Sequence, residues 1–394
     1  MKVFLKKKRS RPVQQHHPWV FSGAIGQSEG EAEDGDIVEV CDSGGNWLAR
    51  GSLNRRSQIS IRLLTWEQDE QIDGAFWERR LRQAIEARRP LVDDPATTAY
   101  RLVHAESDYL PGLIVDRYGD WLVVQFLTLG VDRRRDEIIA ALAGALKPKG
   151  IYERSDVNVR AKEGLEERTG VLLGKEPPEL VEVEENGHHF LVDVRQGHKT
   201  GFYLDQRENR ARLAPFCKGA EVLDAFSYSG AFAVYAATAK AKSVTLVDSS
   251  APALEVAGRN FKLNGIKSKG IEYVEGDVFS VLRGYRAQGR SFDAIVLDPP
   301  KLARNEREVK RAARAYKDVN LLAFQLLRPG GILFTFSCSG AVSADLLQKI
   351  VFSAAIDAGR DGQIVGHLSQ GADHPVALTF PEGAYLNGLI CRAR

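Results

Sequence analysis

Polar or reactive side chains follow short apolar runs five times in the second half of this sequence. They are Asp224, Asp248, Asp277, Asp298 and Cys338. A carboxylate accepts hydrogen bonds from hydroxyls or from an exocyclic amine, and a thiol becomes a strong nucleophile once it loses its proton. These residue types point to a site that binds a nucleoside-like molecule and that has a nucleophile nearby.

The first of these runs ends in a turn that suits close passage beside a ligand. Asp224 is followed by an Ala-Phe-Ser-Tyr-Ser-Gly segment that contains Phe226, Ser227, Tyr228 and Gly230. A helix predicted after this turn would direct its N-terminal amides at the ligand. The turn lacks a GxGxxG pattern, which disfavours a classical dinucleotide or phosphate cradle.

Two further acids have both a binding and a capping interpretation. Asp248 follows Asp224 by 24 residues, near the roughly 20-residue offset at which such folds place an acid on ribose hydroxyls. The alternative, a helix N-cap, is disfavoured because the first strand also ends in a ligand-type turn. Asp277 is predicted equally well as an acceptor for a purine amine and as a helix N-cap.

The last two runs end in an acid and a thiol. Asp298 opens an Asp-Pro-Pro-Lys segment, whose two prolines fix a rigid extended corner. Cys338 lies on the polar Ser-Cys-Ser-Gly segment that leaves its strand, which favours a catalytic thiol over a core residue.

The chain has three other cysteines, Cys41, Cys217 and Cys391, and no CxxC pair. A zinc site or a disulfide framework is therefore not expected.

The elements that would hold these residues form an alternating series. The predicted strands are Glu221–Ala225, Ser243–Asp248, Gly270–Val274, Phe292–Asp298 and Gly331–Phe336. Helical stretches separate them, so we expect a parallel, doubly wound α/β sheet. The ligand site of such a sheet lies outside the carboxyl ends of its strands.

The preceding half of the chain has a different pattern of predicted secondary structure. The pattern up to about residue 70 predicts only β-strands. The region that follows is predicted to be α+β, with a helix around Trp77–Ile85, a hairpin and a second helix around Ile138–Leu146. A Gly-Lys-Glu-Pro-Pro break lies near residue 175. An Asn-Gly pair then joins Val181–Glu185 to His188–Val194, which predicts a β-hairpin.

Composition limits the class of protein. The sequence has 54 basic and 52 acidic residues, a net charge of +2, 44% hydrophobic residues and 27% charged residues. These values are those of an ordinary globular protein. No apolar run approaches the ~18 residues of a membrane span, and the N-terminus does not resemble a secretory signal. We therefore expect a cytoplasmic protein with reduced thiols.

Together these motifs resemble class I S-adenosylmethionine-dependent methyltransferases, and more narrowly the RlmI family of bacterial 23S rRNA cytosine-5 methyltransferases. The resemblance covers essentially the whole chain, with the motifs in the family's order. The matching segments are His17–Gly23 (HPWVFSG), Tyr152–Asp156 (YERSD), Gly197–Arg207 (GHKTGFYLDQR), Phe226–Gly230 (FSYSG), Asp298–Lys301 (DPPK) and Phe336–Ser339 (FSCS).

The resemblance implies three domains and a cofactor. These are a small β-barrel PUA RNA-binding domain at residues 1–72, a central α+β domain at 73–180 and a Rossmann-like methyltransferase domain at 181–394. The cofactor implied is S-adenosylmethionine, with Asp248 on its ribose and Asp277 on its adenine amine. The cofactor-binding residues carried over are Gln206, Arg207, Asp224, Phe226, Ser227, Tyr228, Gly230, Asp248, Asp277 and Asp298.

The resemblance also makes Cys338 the nucleophile and gives Asp298 a catalytic place at the N3–N4 edge of cytosine. RNA cytosine-5 methyltransferases with two cysteines carry a second one in the motif of the fourth strand, where this chain has Asp-Pro-Pro-Lys. The partner implied is 23S rRNA or a large-subunit particle, without a metal or a membrane, and a homodimer stays open.

Charge gathers locally despite the balanced total. Residues 1–12 contain six Lys or Arg and no acid, and residues 301–317 contain seven Lys or Arg and two acids. Basic clusters bind phosphates without regard to sequence, although a solvated helix face is an alternative for the second cluster. The predicted RNA-binding residues are Lys7, Arg9, Arg11, Lys301 and Arg304; Arg133–Arg135 and the arginines at 79–89 add further charge.

Two other functions stay open. An RNA methyltransferase that acts on another atom, such as guanine N7, would need no thiol nucleophile. An RNA-binding assembly factor with an inactive methyltransferase domain would keep the fold but would not bind the cofactor.

Overall fold

The computed structural model describes residues 1–303 and 305–394. Contacts divide the chain into two compact units. The first contains 1–183, 192–204 and 372–383, and the second contains 184–191, 205–371 and 384–394.

The first unit contains eleven strands and six helices among the described residues. The strands are β1 (Lys2–Leu5), β2 (Trp19–Phe21), β3 (Ile25–Glu29), β4 (Ile37–Cys41), β5 (Trp47–Leu53), β6 (Ile59–Thr65), β7 (Ala99–His104), β8 (Leu113–Tyr118), β9 (Trp121–Phe126), β10 (Gly150–Ser155) and β11 (Arg168–Gly174). The helices are α1 (Arg11–Gln14), α2 (Gly74–Ala87), α3 (Arg89–Val92), α4 (Leu129–Asp132), α5 (Arg135–Leu146) and α6 (Val159–Lys162).

The N-terminal sheet has six strands in the order β2-β6-β5-β4-β1-β3. Its pairs are antiparallel except for β1 with β4, which are parallel. Alternating apolar side chains of β4 and β6 fill its core, including Val38, Val40, Ile61 and Leu63. The predicted all-β start of the chain is confirmed, and β1, β2 and β3 were not singled out from the sequence.

The second sheet of this unit has five strands in the order β11-β10-β9-β8-β7. Helix α2, which Asp73 caps by accepting from the Phe76 amide, contributes Trp77 and Leu81 to the core beneath the sheet, and α5 contributes Ile138 and Leu142. Strand β10 was not predicted from the sequence. All six of its residues are buried, including the charged ones, so apolar and polar residues do not alternate along it.

A hairpin of β12 (Val181–Glu185) and β13 (His188–Val192) lies where the chain passes between the two units. Asn186 and Gly187 have φ of 49° and 77°, the left-handed values that a two-residue hairpin turn requires. The predicted hairpin is confirmed.

The second unit is built on a seven-stranded sheet in the order β16-β15-β14-β17-β18-β20-β19. Its strands are β14 (Glu221–Ala225), β15 (Ser243–Asp248), β16 (Ile271–Glu275), β17 (Phe292–Leu297), β18 (Leu327–Ser337), β19 (Gly362–Ser369) and β20 (Asn387–Ala393). Its helices are α7 (Arg207–Leu213), α8 (Ala231–Thr238), α9 (Ala251–Leu263), α10 (Val278–Ala287), α11 (Val309–Leu326) and α12 (Ala344–Asp357).

The five predicted strands are confirmed as one parallel sheet. The strand order reverses between β14 and β17, so the loops after these two strands flank the switch point of the sheet. Two antiparallel strands at the C-terminal end, β19 and β20, complete the sheet and were not predicted.

Across the described part of the chain, no helix combines the length and apolar character that crossing a membrane would need.

Candidate active site

The turn after β14 has an unusual backbone. Phe226, Tyr228 and Gly230 have φ of 63°, 48° and 74°, a region that side chains other than glycine rarely adopt. A Cβ at position 230 would lie 2.9 Å from both Ala257 Cβ and Leu246 Cδ2. Gly230 therefore allows the turn to pass close to β15 and α9, and strain of this kind is typical of functional turns.

Asp248 fastens this turn to the neighbouring strand. Its Oδ2 accepts from the Tyr228 amide at 2.8 Å and its Oδ1 accepts from the Ser250 amide at 2.9 Å. The N-cap of α9 is Ser250, whose Oγ accepts from the Ala253 amide. Asp248 is thus not the helix cap, and its part in binding ribose hydroxyls stays a prediction.

The turn has the features of a cofactor cradle. Within the described residues, the Ser227 hydroxyl is buried and has no hydrogen-bond partner. Buried polar atoms are normally paired, so an orphaned hydroxyl in a strained turn at a strand end indicates a missing ligand group. Asp224 lies at the same strand end, where its Oδ2 accepts from the Ala233 amide at 3.1 Å.

The pKa of Asp224 is raised to about 8, chiefly by burial; the amide of Ala233 acts in the opposite direction, and the nearby carboxylates of Asp298 and Asp248 add to the increase. A neutral Asp224 avoids adding a further negative charge beside these two carboxylates.

This shift predicts a pH dependence that Asp224→Asn should remove. Since an unfolded aspartate has a pKa of about 3.9, the native state holds an extra proton between about pH 4 and pH 8. The stabilisation is complete below the lower value and is lost as pH rises through the higher one. We expect Asp224→Asn to gain stability relative to the wild type by on the order of 1 kcal/mol per pH unit in this interval. Thermal unfolding midpoints at pH 5, 6, 7 and 8 check this, and parallel profiles for the two proteins would contradict it.

Asp277 is exposed and caps α10. Its Oδ1 accepts from both the amide and the hydroxyl of Ser280, at 2.9 Å and 2.8 Å. The capping interpretation is therefore realised in the structure. Its part in binding an adenine amine stays a prediction.

Asp298 is the first residue after β17, and a chain of amides holds it. The Gln206 Nε2 donates to Asp298 Oδ2 at 3.0 Å, and Asn209 Nδ2 donates to Gln206 Oε1 at 2.6 Å and to the Ser369 carbonyl at 2.9 Å. Gln206 thus contacts the acid of the fourth strand, and Asn209, which the sequence did not single out, orients Gln206.

The helix that carries these amides is fixed by a buried ion pair. Arg210 donates to both carboxylate oxygens of Glu185 at 2.7 Å and 2.6 Å, and the Tyr235 hydroxyl donates to the same carboxylate at 3.0 Å. Arg207 is also buried and its guanidinium lies 3.3 Å from Glu208 Oε1. The paired charges of Arg210 and Glu185 gave no sequence signal because charged residues are normally expected at the surface.

Cys338 stands apart from the other cysteines. Of the four, all within the described residues, it alone is half-buried, whereas Cys41, Cys217 and Cys391 are buried. Burial raises the pKa of each of those three thiols, to about 12 for Cys217 and Cys391. The Cys338 Sγ lies 3.9 Å from the Pro299 carbonyl oxygen, next to Asp298 in sequence.

A network of hydroxyls positions the segment around Cys338. The Ser337 Oγ donates to the Tyr316 hydroxyl at 3.0 Å, and that hydroxyl lies 3.2 Å from the Ser339 Oγ. The Ser339 Oγ also accepts from the Ala303 amide at 3.1 Å, which joins the segment to the loop after the Asp-Pro-Pro-Lys motif. Tyr316 of α11 was not singled out from the sequence, because its position fits the apolar face of a helix.

Four of the five predicted RNA-binding residues are exposed to solvent. Lys7, Arg9, Arg11 and Lys301 are exposed, and Arg304 lies outside the described residues. Arg133–Arg135, which were expected to add basic charge, have partners within the chain, and their contact with RNA stays a prediction.

Arg133 pairs with Glu33 and Asp36, Arg134 donates to the Gly35 carbonyl, and Arg135 pairs with Glu153. Among the arginines at 79–89, Arg79 and Arg80 of α2 pair with Glu70, and Arg88, which follows α2, pairs with Asp108. Much of the charge in these two clusters is thus neutralised by neighbours.

The central part of the HKTGFYLDQR motif forms hydrogen bonds with strand β8 in the first unit. Thr200 Oγ1 donates to Asp116 Oδ2 at 2.6 Å, and Asp116 also binds Arg101 through both carboxylate oxygens. The Tyr118 hydroxyl lies 2.9 Å from Thr200 Oγ1 and accepts from the Phe202 amide.

Comparisons with known proteins identify the family of the chain. Residues 3–66 match the family model of a PUA-like domain, and residues 160–360 match that of an S-adenosylmethionine-dependent methyltransferase. A protein of Aeromonas salmonicida named ribosomal RNA large subunit methyltransferase I is 50% identical over 392 residues, which cover 100% of this chain and 99% of the relative. Its namesake in Tolumonas auensis is 51% identical, with 99% of each chain covered.

Solved structures share the fold along the whole chain. A chain described as a SAM-dependent methyltransferase from Streptococcus mutans superposes with a TM-score of 0.85 at 22% identity. A methyltransferase complexed with SAH superposes with a TM-score of 0.87, also at 22% identity. Each comparison covers 100% of both chains.

Proposed function

Because the chain belongs to the ribosomal RNA large subunit methyltransferase I family of S-adenosylmethionine-dependent methyltransferases, we propose that it methylates C5 of a cytosine in 23S rRNA. The observation that carries the proposal is the placement of Cys338. This thiol is half-buried on the segment that leaves β18, and its sulfur lies 3.9 Å from the carbonyl of Pro299, in the loop that begins with Asp298.

The cofactor site is proposed at the carboxyl ends of β14, β15 and β16. When bound, S-adenosylmethionine supplies an electrophilic methyl group. Asp248 is suited to accept from ribose hydroxyls, because a charged acceptor forms strong hydrogen bonds with paired donors. The Ser227 hydroxyl gives the turn a polar group that lacks a partner among the described residues, and Asp277 is suited to accept from the adenine amine.

Gln206 and Arg207 are among the cofactor-binding residues that the resemblance implies, and we propose that they contact the charged end of the cofactor. Gln206 donates to Asp298 in the structure, so we propose that it positions this acid in addition to bordering the cofactor. The domain limits 1–72, 73–180 and 181–394 are likewise a proposal, in which the first two domains bind RNA and the third carries the reaction.

Cys338 would supply the nucleophile that cytosine chemistry requires. Its thiolate adds to C6, so that a C6–S bond forms and the C5–C6 π electrons make C5 nucleophilic. Once C5 carries the methyl group, a base removes the C5 proton, the C5–C6 double bond re-forms and the thiolate leaves. The target cytosine must be unpaired or flipped out of a helix, since a stacked base cannot be reached.

Asp298 would hold the cytosine during this addition. A carboxyl group at the N3–N4 edge accepts from the exocyclic amine and can pass a proton to N3, which neutralises the negative charge that moves onto the ring as C6 is attacked. The amide chain from Asn209 through Gln206 keeps this carboxylate in one orientation, which lowers the cost of reorganisation during the reaction.

The proposal is tested by methylating 23S rRNA with the purified protein and analysing the nucleosides of the product. The expected product is 5-methylcytidine, formed in proportion to the methyl groups transferred. Another methylated nucleoside, such as 7-methylguanosine, would overturn the cytosine-C5 assignment, and failure of the protein to bind S-adenosylmethionine would favour an inactive assembly factor.

The cofactor assignment predicts that Asp248→Asn weakens S-adenosylmethionine binding by about 10- to 100-fold, because hydrogen bonds to a charged group contribute about 1.5–3 kcal/mol. The substitution also weakens the hold on the Tyr228 amide. Isothermal calorimetry measures the change. Asp345→Asn, which alters an exposed aspartate on α12, is the matched control and should keep the wild-type dissociation constant. Equal affinities for the two variants would contradict the assignment.

A further inference from the structure

The HPWVFSG segment is not used by the proposed chemistry, yet two of its aromatic residues stand between two clefts of the first unit. Trp19 and Phe21 line a cleft of about 430 Å³ together with Arg9, and they line a second cleft of about 650 Å³ together with Arg56 and Lys162. Both volumes fall within the range of roughly 300–1,000 Å³ that is typical of small-ligand sites.

Phe21 lines both clefts. Its side chain is 48% exposed, which is unusual for a phenylalanine on a strand that pairs along its length. The pairing of β2 with β6 shifts register between Val20 and Phe21, and a bulge of this kind redirects a side chain away from the regular pleat.

The Trp19 side chain, beside Phe21, is held in place by several contacts. Its indole Nε1 donates to Glu106 Oε1 at 2.9 Å, and its ring packs edge-to-face on Phe380 and Phe21 at centroid distances of 4.7 Å and 6.1 Å. The guanidinium of Arg62 lies 5.7 Å from the ring centroid. A rigid aromatic platform binds a planar ligand with little loss of conformational entropy.

The acids of the clefts have partners within the chain. Arg62 pairs with Glu106 and Glu163 at 3.0 Å and 2.8 Å, and Glu382 lies 3.3 Å from His17. The side chains of Arg9, Arg56 and Lys162 are exposed. The rims are therefore cationic, while the walls between them are apolar and aromatic.

We propose that Phe21 and Trp19 form a stacking platform for single-stranded RNA, with one unpaired base in each cleft and the adjoining phosphates near Arg9 on one side and Arg56 and Lys162 on the other. Aromatic stacking combined with cationic rims is the chemistry by which proteins bind unpaired nucleotides. The platform rests on the proposed function only in taking RNA as the substrate, since it does not depend on which atom is methylated.

The test compares Phe21→Ala with Phe352→Ala, which removes a 66% exposed phenylalanine of α12 in the second unit. Binding of the full chain to a single-stranded RNA of roughly ten nucleotides is measured by fluorescence anisotropy. We expect the dissociation constant to rise about 5- to 100-fold for Phe21→Ala and to stay unchanged for the control. Lys162→Glu should weaken binding and reduce its dependence on salt.

Photo-crosslinking of a 5-bromouridine-substituted RNA to the wild-type chain gives a readout that does not depend on a variant. The platform predicts a crosslinked peptide that contains Trp19 or Phe21. Unchanged RNA binding by Phe21→Ala, or crosslinks confined to other peptides, would overturn the proposal.

A loss seen only with large-subunit particles, and not with free RNA, would assign the clefts to a protein partner and would also overturn it. Calorimetry with S-adenosylmethionine and nucleoside analysis of the methylated product separate these outcomes from failure of the proposed function, because neither depends on the platform.

Discussion

Replacing Cys338 by alanine is expected to lower the rate of methyl transfer by at least about 10³-fold, because removal of a covalent nucleophile costs this much or more in other enzymes. Without the thiolate, C5 of cytosine is too weak a nucleophile to take the methyl group. The variant should keep the affinity of the wild type for S-adenosylmethionine, since the proposed cofactor contacts come from other strand ends. Incorporation of labelled methyl groups into 23S rRNA under single-turnover conditions measures the effect.

Cys41→Ala is the matched control for this prediction. Cys41 is buried in the N-terminal sheet, so its loss removes a thiol without touching the proposed site. Activity of Cys338→Ala near that of Cys41→Ala would exclude the thiol mechanism and would favour methylation of another atom.

The second large effect is expected for Asp298→Asn, with kcat lowered by about 10²- to 10³-fold, the range found when one preorganised polar group is removed from an active site. The isosteric amide keeps the volume of the side chain but cannot pass a proton to N3 of cytosine during thiolate addition. Steady-state kinetics with saturating cofactor isolate this loss, and we expect the affinity for S-adenosylmethionine to change much less than kcat.

Gln206→Ala gives a graded comparison for the same site. It leaves the charge of Asp298 but removes the amide that donates to it, so kcat should fall by less than in Asp298→Asn. The double variant should be no slower than Asp298→Asn alone, because the two residues act through one contact. Additive losses would show that Gln206 acts independently of Asp298.

The strand ends could be predicted from sequence because their signals are local. A short apolar run followed by an acid specifies both a buried strand and the residue that leaves it, as at Ser243–Asp248, where the predicted and observed limits agree. The Asn186-Gly187 turn was predictable for the same reason, since two left-handed residues in succession need this dipeptide type.

The contacts that orient the site could not be predicted, because they depend on residues far apart in the sequence. The buried pair of Arg210 with Glu185 and the hydroxyl network of Tyr316 with Ser337 and Ser339 arise only when distant elements pack. The same limit applies to Arg133–Arg135, whose charge the linear sequence shows but whose partners it does not. Strand β19 was missed because it is largely exposed, without a regular alternation, and β20 because it is almost wholly buried and likewise shows no alternation.

The most direct test of the thiol mechanism is covalent trapping. With rRNA that carries 5-fluorocytidine, addition of a thiolate to C6 and methylation of C5 leave fluorine where a proton would depart, so the enzyme cannot eliminate. We predict a stable protein–RNA complex that depends on S-adenosylmethionine, with the crosslink located on Cys338 by mass spectrometry of the digested complex. Methyl transfer to rRNA without a trapped complex, or a crosslink on Cys41, Cys217 or Cys391, would contradict the assignment of Cys338 as the nucleophile.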